Sequence, residues 1–311
     1  MSMAETKSVA QQRKPMIIKH KKHGWDLWRP YLYVVPSVIC LCIFYIYPIV
    51  RNIYLSFFKW DLLNPMEFVA FDNFNALFTN KTFGKIMRNT FTYMFATVAG
   101  TVSVSLVMAV WLNKKTKLRT LTQGFIFIPH IISLVSVSFI WMWMFNEDFG
   151  LLNYLFSLIG IKPIRWLNSK TMAMPSIIIV AVWKQVGYYT LMFIGGLQAI
   201  PRELYEAASI ETNNKFRVFR YITLPMLSPT LFFVLIINLI NASKAFDSIS
   251  IMTQGGPVNA TNTLVYYIYQ RAFAYMQIGR AAAGGTVLFG ILMVLTICYF
   301  FALNKRVHYL N

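Results

Sequence analysis

An all-α bundle that crosses a bilayer about six times is the fold class this sequence predicts. Two observations carry it. Hydrophobic residues make up 57% of the 311 residues and charged residues only 13%, about half of the roughly 25% charged residues usual in soluble globular domains. The apolar residues are also gathered into six blocks of about 20 residues, the length at which a helix rising about 1.5 Å per residue crosses a hydrocarbon core about 30 Å thick.

The first block, Tyr31 to Val50, follows a polar, basic tail of residues 1–29. That tail is too long for a cleavable leader and no small-residue cleavage site follows the block, so the span is expected to remain in the mature chain. The second and third blocks, Thr90 to Leu112 and Phe125 to Phe145, are joined by a loop carrying Lys114, Lys115, Lys117 and Arg119. The fourth, Met172 to Ile194, holds Lys184 near its middle, and the fifth runs from Thr230 to Met252. The sixth, Ala281 to Leu303, opens on Ala281-Ala282-Ala283-Gly284-Gly285, small residues of the kind that let helices approach closely. No block shows period-2 alternation or the short length of a barrel strand, so each is expected to be a helix within one transmembrane domain spanning 30–311.

The net charge of +18 belongs beside these blocks. Seventeen of the 29 Lys and Arg fall in the tail, the second and fourth loops and the C-terminus, and nine fall on the other side. Both termini are therefore expected to be cytoplasmic, with the basic loops meeting anionic lipid headgroups instead of nucleic acid. Cys40, Cys42 and Cys298 all lie inside apolar blocks and sketch no disulfide framework.

The loop of about residues 195–229 has a structure of its own. Pro201 suits the first position of a helix, Glu203 and Glu206 suit its positive end, and Leu204, Ala207, Ala208 and Glu211 recur at helical spacing. Asn213 and Asn214 can take the left-handed conformation that ends a helix, and Lys215 to Arg220 resumes as a basic, aromatic turn before Pro225 and Pro229. A helix–turn–helix outside the membrane is the expectation. A plain alternative reading is an amphipathic helix lying on anionic lipid.

The segment Leu204-Tyr205-Glu206-Ala207-Ala208, followed by Ile222-Thr223-Leu224-Pro225, resembles the cytoplasmic EAA loop of a known family. So do Leu55 to Asp61, Phe145 to Asn153, Phe246-Asp247-Ser248-Ile249 with Gly255-Gly256-Pro257, and Ala260 to Leu264. The family is the permease subunits of bacterial ATP-binding-cassette importers, in the maltose and glycerol-phosphate branch, and the resemblance covers nearly everything from Pro30 onward. It implies the type I importer fold in the bacterial cytoplasmic membrane. The implied partners are a second homologous permease, two ATPase subunits and an extracytoplasmic solute-binding protein, with ATP and Mg held by the ATPases and no cofactor on this chain. It also implies that Glu203, Tyr205, Glu206, Ala207, Ala208, Thr212 and Arg217 couple to the ATPase: Glu206 as the anchoring charge, Ala207 and Ala208 as the close-contact surface, Arg217 or Arg220 as charge partners. The family usually has glycine where Thr212 stands, and the long extracytoplasmic insertion of the maltose-system subunit is absent.

Residues for chemistry are missing from the sequence. No Gly-x-x-x-x-Gly-Lys-Ser/Thr loop occurs, and Gly255-Gly256-Pro257 has no lysine-bearing helix after it. His20, His23, His130 and His308 are scattered, so neither a metal site nor a nucleophile–base pair is expected. For the solute path the candidates are Lys184, Gln185 and Tyr188 in the fourth block, and Asn238, Asn241, Lys244 and Asp247, spaced by threes on one helical stripe of the fifth. Aromatic faces and amides suit a sugar, whereas a lysine suits an anionic solute. A structural reading, with Lys184–Asp247 or Lys244–Asp247 pairs and asparagines bridging helices, stands beside it. An ion-gradient-driven secondary transporter and an intramembrane enzyme are the alternatives from other classes; the absence of a detectable inverted repeat argues against the first.

Overall fold

The computed structural model describes residues 24–114 and 116–303. Most of the basic tail, Lys115, Lys305 and Arg306 lie outside the described residues. The chain divides into two compact units, the first ending at Arg51 and the second beginning at Asn52. In the first, α1 (Gly24–Leu41) passes through a π-helical turn, Cys42–Ile46, into α2 (Tyr47–Leu55), whose residues from Asn52 on belong to the second. The first unit's side chains from Tyr31 onward are largely exposed, including Tyr33 and Phe44, as suits an apolar helix whose surroundings are lipid.

Among the described residues of the second unit, regular structure is helical apart from one hairpin, in which β1 (Phe58–Lys59) pairs antiparallel with β2 (Glu67–Phe68). Then follow α3 (Asp72–Phe78), α4 (Phe83–Leu112), α5 (Lys117–Ile131), α6 (Leu134–Met144), α7 (Leu151–Ser157), α8 (Ala173–Gln198), α9 (Arg202–Glu211), α10 (Lys215–Val218), α11 (Leu224–Met226), α12 (Ser228–Ser243), α13 (Asp247–Met252), α14 (Leu264–Tyr269) and α15 (Ile278–Leu303). Among the described residues, five segments are long and apolar enough to cross a membrane: Tyr31–Leu55, Phe83–Leu112, Ala173–Gln198, Ser228–Met252 and Ile278–Phe301.

The single straight span expected over Phe125 to Phe145 is corrected. Together α5 and α6 are long and apolar enough for a sixth crossing, but they meet at 97°. Pro129 lies in the last turn of α5, where it removes a donor and its ring crowds the preceding turn. Ile132 then takes extended backbone, φ −66° and ψ 141°, before Leu134 starts α6. The fifth block also departs from expectation. Helix α12 ends at Ser243, Lys244 lies past its end at φ −94° and ψ 14°, and α13 restarts at Asp247. The helical stripe expected to carry Asn238, Asn241, Lys244 and Asp247 is therefore broken after Asn241.

Helices α4 and α8 form the central pair, tied by the Ser105 hydroxyl, which donates to the Val186 carbonyl at 3.0 Å. Ala109, Leu112, Phe193, Leu197, Leu227 and Val234 make a buried cluster that packs α12 against both. The small residues opening α15 do pack tightly: Ala281, Ala282 and Ala283 are buried, and Asn52 donates to the Ala282 carbonyl and the Thr286 hydroxyl, each at 3.2 Å. At Gly279 a side chain is impossible without movement, because a Cβ would sit 1.9 Å from the Phe58 carbonyl oxygen.

Candidate functional site

The loop helix α9 is built directly on the end of α8. Pro201, at φ −58° and ψ 135°, stands one residue ahead of the helix and does not open it as expected. Glu203 lies in the first turn, next to the positive end of the helix dipole. The helix has two faces. Leu204 and Tyr205 are half-buried against the cluster around Leu197 and Leu227, Ala208 is only 6% exposed, and the Tyr205 hydroxyl lies 3.2 Å from that of Thr223. Glu203, Glu206 and Ala207 are exposed, and Ile210 is 90% exposed. Ala207 and Ala208 therefore do not form one contact surface, since consecutive residues of a helix point about 100° apart. Ala208 is packed into this chain and Ala207 is open. Ile210 was not singled out by spacing, and its isolation among polar residues was the available signal.

The corner after α9 is made without a left-handed residue. Thr212 is extended at φ −152° and ψ 139°, and neither Asn213 nor Asn214 takes a positive φ. Side chains close the turn instead. The Thr212 hydroxyl accepts from the Asn214 N–H at 3.2 Å, and the Asn214 side-chain oxygen accepts from the N–H groups of Phe216 and Arg217 at 3.0 and 3.2 Å, capping α10. A threonine at 212 is thus unstrained, and glycine is not required. Arg217 is held here through its main chain, its side chain exposed.

The candidate path residues separate into different environments. Asn238 is buried completely, inside the packing of α12. Lys244 is exposed past the end of α12, and Asp247 begins α13 half-buried. Asn241 is exposed and donates to the Tyr189 hydroxyl at 3.3 Å; Tyr189 packs edge-on to Tyr188, whose ring stacks on His130 with centroids 4.4 Å apart. Tyr188 and Asn241 are thereby joined through Tyr189, with His130 stacked on Tyr188; neither Tyr189 nor His130 is among the path candidates of the sequence. Gln185 is half-buried nearby in the sequence of α8.

Neither the Lys184–Asp247 nor the Lys244–Asp247 ion pair forms among the described residues. The Lys184 ammonium donates to the main-chain oxygens of Pro129 at 3.1 Å, His130 at 3.1 Å and Ile132 at 2.6 Å, at the corner between α5 and α6. One turn further along α8, a Cβ on Gly187 would lie 1.8 Å from the Ile126 carbonyl oxygen. The glycine is what lets α5 sit against α8.

At the end of α4 remote from α9, a cleft of about 680 Å³ is lined by Trp60, Tyr275, Lys59, Glu67, Asp72 and Arg280, among others. Several of its polar groups are engaged locally. Lys59 pairs with Glu67 at 3.9 Å, Arg280 donates to Gln277, and Asp61 accepts from Asn64 and Leu63. Those bonds, led by the Asn64 main-chain N–H, hold the exposed Asp61 carboxyl below its ordinary range.

The described residues thus form a helical bundle with five or six segments able to cross a membrane and a loop helix between two of them. Residues 101–308 match the model of the binding-protein-dependent transport system inner membrane components, and the chain belongs to that family. It is 34% identical to the sulfoquinovosyl glycerol transport system permease protein of Agrobacterium fabrum, over 86% of this chain and 88% of that one. It is also 34% identical to the arabinooligosaccharides transport system permease protein of Bacillus subtilis, over 89% and 91%. It is 32% identical to the sn-glycerol-3-phosphate transport system permease protein of Pectobacterium atrosepticum, over 91% and 96%. A chain from the crystal structure of a bacterial ABC transporter that imports the acidic polysaccharide alginate has the same fold, with a TM-score of 0.79, 22% identity, and coverage of 90% of this chain and 96% of that one. This protein is a multi-pass membrane permease of an ABC importer.

Proposed function

We propose that this permease forms half of the translocation path for a sugar, oligosaccharide or related solute and works by alternating access, driven by separate ATPase subunits that hold ATP and Mg. Its partners in this reading are a second homologous permease, two ATPases and an extracytoplasmic binding protein, with both termini cytoplasmic. The observation that carries it is α9. Its inner face, Leu204, Tyr205 and Ala208, is fastened to the spans, while Glu203, Glu206, Ala207 and Ile210 are open on the outer face. A helix gripped from outside on that face would transmit displacement straight into α8, which ends three residues before it. Thr212 and Arg217 belong to the turn that keeps α9 at a set angle.

The solute class is inferred from the relatives, whose names specify sulfoquinovosyl glycerol, arabinooligosaccharides and sn-glycerol 3-phosphate. In the strip of His130, Tyr188, Tyr189 and Asn241, the half-buried His130 and Tyr188 rings supply faces for sugar C–H groups and the exposed Asn241 amide supplies hydrogen bonds for hydroxyls, while the buried Tyr189 holds Asn241. Purification of the tagged chain from its native membrane tests the reading: an ATPase should co-purify, and uptake in proteoliposomes should require ATP. If no ATPase is recovered and uptake follows an ion gradient instead, the protein is a secondary transporter.

A further inference from the structure

We propose that Lys184 is a positioning residue of the transport cycle, not a solute ligand: its ammonium locks the α5–α6 corner to α8, so that motion of the loop helix reaches the corner through one continuous element. The source of that motion rests on the importer reading above; the lock itself does not.

The argument begins with main-chain accounting. The last carbonyls of any helix lack partners inside it, and within a membrane no water is at hand to supply them. Helix α5 ends inside an apolar block, at a break that leaves the oxygens of Pro129, His130 and Ile132 facing α8. An ammonium has three N–H donors, and those of Lys184 meet three oxygens, at 3.1, 3.1 and 2.6 Å. The positive charge also lies at the negative end of the α5 dipole. A lysine so engaged has no N–H left for a solute.

The lock has a second part on the same face of α8. Gly187 and Tyr188 follow Lys184 by three and four residues, the spacing that puts side chains on one side of a helix. Gly187 admits the Ile126 carbonyl, and Tyr188 stacks on His130 at an interplanar angle of 10°. From Lys184, α8 continues unbroken to Gln198, about 21 Å at helical rise, and α9 follows at Arg202. On the other arm of the corner, α6 packs against α13, the segment that follows the interruption after α12. A displacement of α9 thus has a path along α8 to both broken elements.

Spin labels at Leu121 on α5 and Phe139 on α6, both exposed, test the lock in the full complex in lipid nanodiscs, with Cys40, Cys42 and Cys298 replaced by serine. Lys184→Met should at least double the width of the distance distribution, and Lys184→Arg should largely restore it. An unchanged width in Lys184→Met overturns the proposal. Should Lys184→Met fail to assemble, Lys184→Gln, which keeps two donors, is read the same way with a smaller broadening.

Uptake of arabinotriose, sn-glycerol 3-phosphate or sulfoquinovosyl glycerol, whichever the unsubstituted complex imports, separates positioning from binding. Lys184→Met should lower the maximal rate at least tenfold and leave the half-saturating concentration within twofold. A tenfold rise in half-saturation at an unchanged maximal rate would make Lys184 a solute ligand and overturn the proposal. Absence of ATP-driven uptake in the unsubstituted complex would sink the importer reading, with the label distances still deciding the lock.

Discussion

The Lys184 ammonium lies 2.6 Å from the main-chain oxygen of Ile132, a residue 52 positions earlier in the chain. A lysine within a span ordinarily calls for a carboxylate partner or a wet cavity, because an unpaired charge in lipid is costly. Here main-chain dipoles at the end of a broken helix take that role. The same contact satisfies two otherwise expensive groups at once, a cation and the orphaned carbonyls of a helix terminus.

Gly187 should be among the least replaceable residues of α8. With a Cβ placed 1.8 Å from the Ile126 carbonyl oxygen, Gly187→Ala forces α5 away from α8 and is expected to cost about 3 kcal/mol or more, at the upper end of overpacking effects. Gly195→Ala, where nothing lies within 4 Å of the added carbon, is the control and should be neutral or better. Thermal unfolding of the purified chain in detergent compares the two.

Charge reversal at Glu206 should separate folding from coupling. The residue is exposed on the outer face of α9, so Glu206→Lys should leave membrane insertion and thermal stability unchanged while ATP-driven uptake drops at least tenfold. Uptake together with ATPase rate is the measurement, and normal values of both would remove Glu206 from the coupling surface.

The two alanines of α9 should respond oppositely to bulk. Ala208→Leu enlarges a packed position and is expected to destabilise the chain by about 1–3 kcal/mol. Ala207→Leu should spare stability and weaken ATPase co-purification, as should Ile210→Asp, which removes the open apolar side chain. Equal loss of stability from both alanine variants would contradict the two-faced arrangement.

At the turn, Asn214→Ala removes the acceptor that caps α10 through Phe216 and Arg217. Loss of a cap of this kind costs about 1 kcal/mol. Thr212→Gly, by contrast, relieves no strain, since Thr212 is already in extended backbone; it should loosen the corner and leave coupling equal or poorer. Denaturation midpoints and uptake rates of the pair check both statements.

Much of the architecture is legible in the sequence because hydrophobicity over about 20 residues is a local property. A lipid-facing helix has to be apolar along its own length whatever it packs against. The loop segment is legible for a related reason: Glu203 in the first turn, small residues at helical spacing and the prolines near Ile222 to Pro229 act on the main chain beside them. Which face of that segment is open is not legible, because Ala207 and Ala208 are chemically identical and differ only in what lies opposite.

By itself, then, the sequence determined the class of the protein, the number of apolar segments and the position of the loop helix, all of which follow from short-range composition and capping. The tertiary structure decided the 97° corner at Pro129, the break after Ser243 and the partners of Lys184. A continuous apolar block gives no sign of where its helix will bend. The carbonyls that answer Lys184 become available only once α5 has ended and been laid against α8, and that juxtaposition joins parts of the chain more than fifty residues apart.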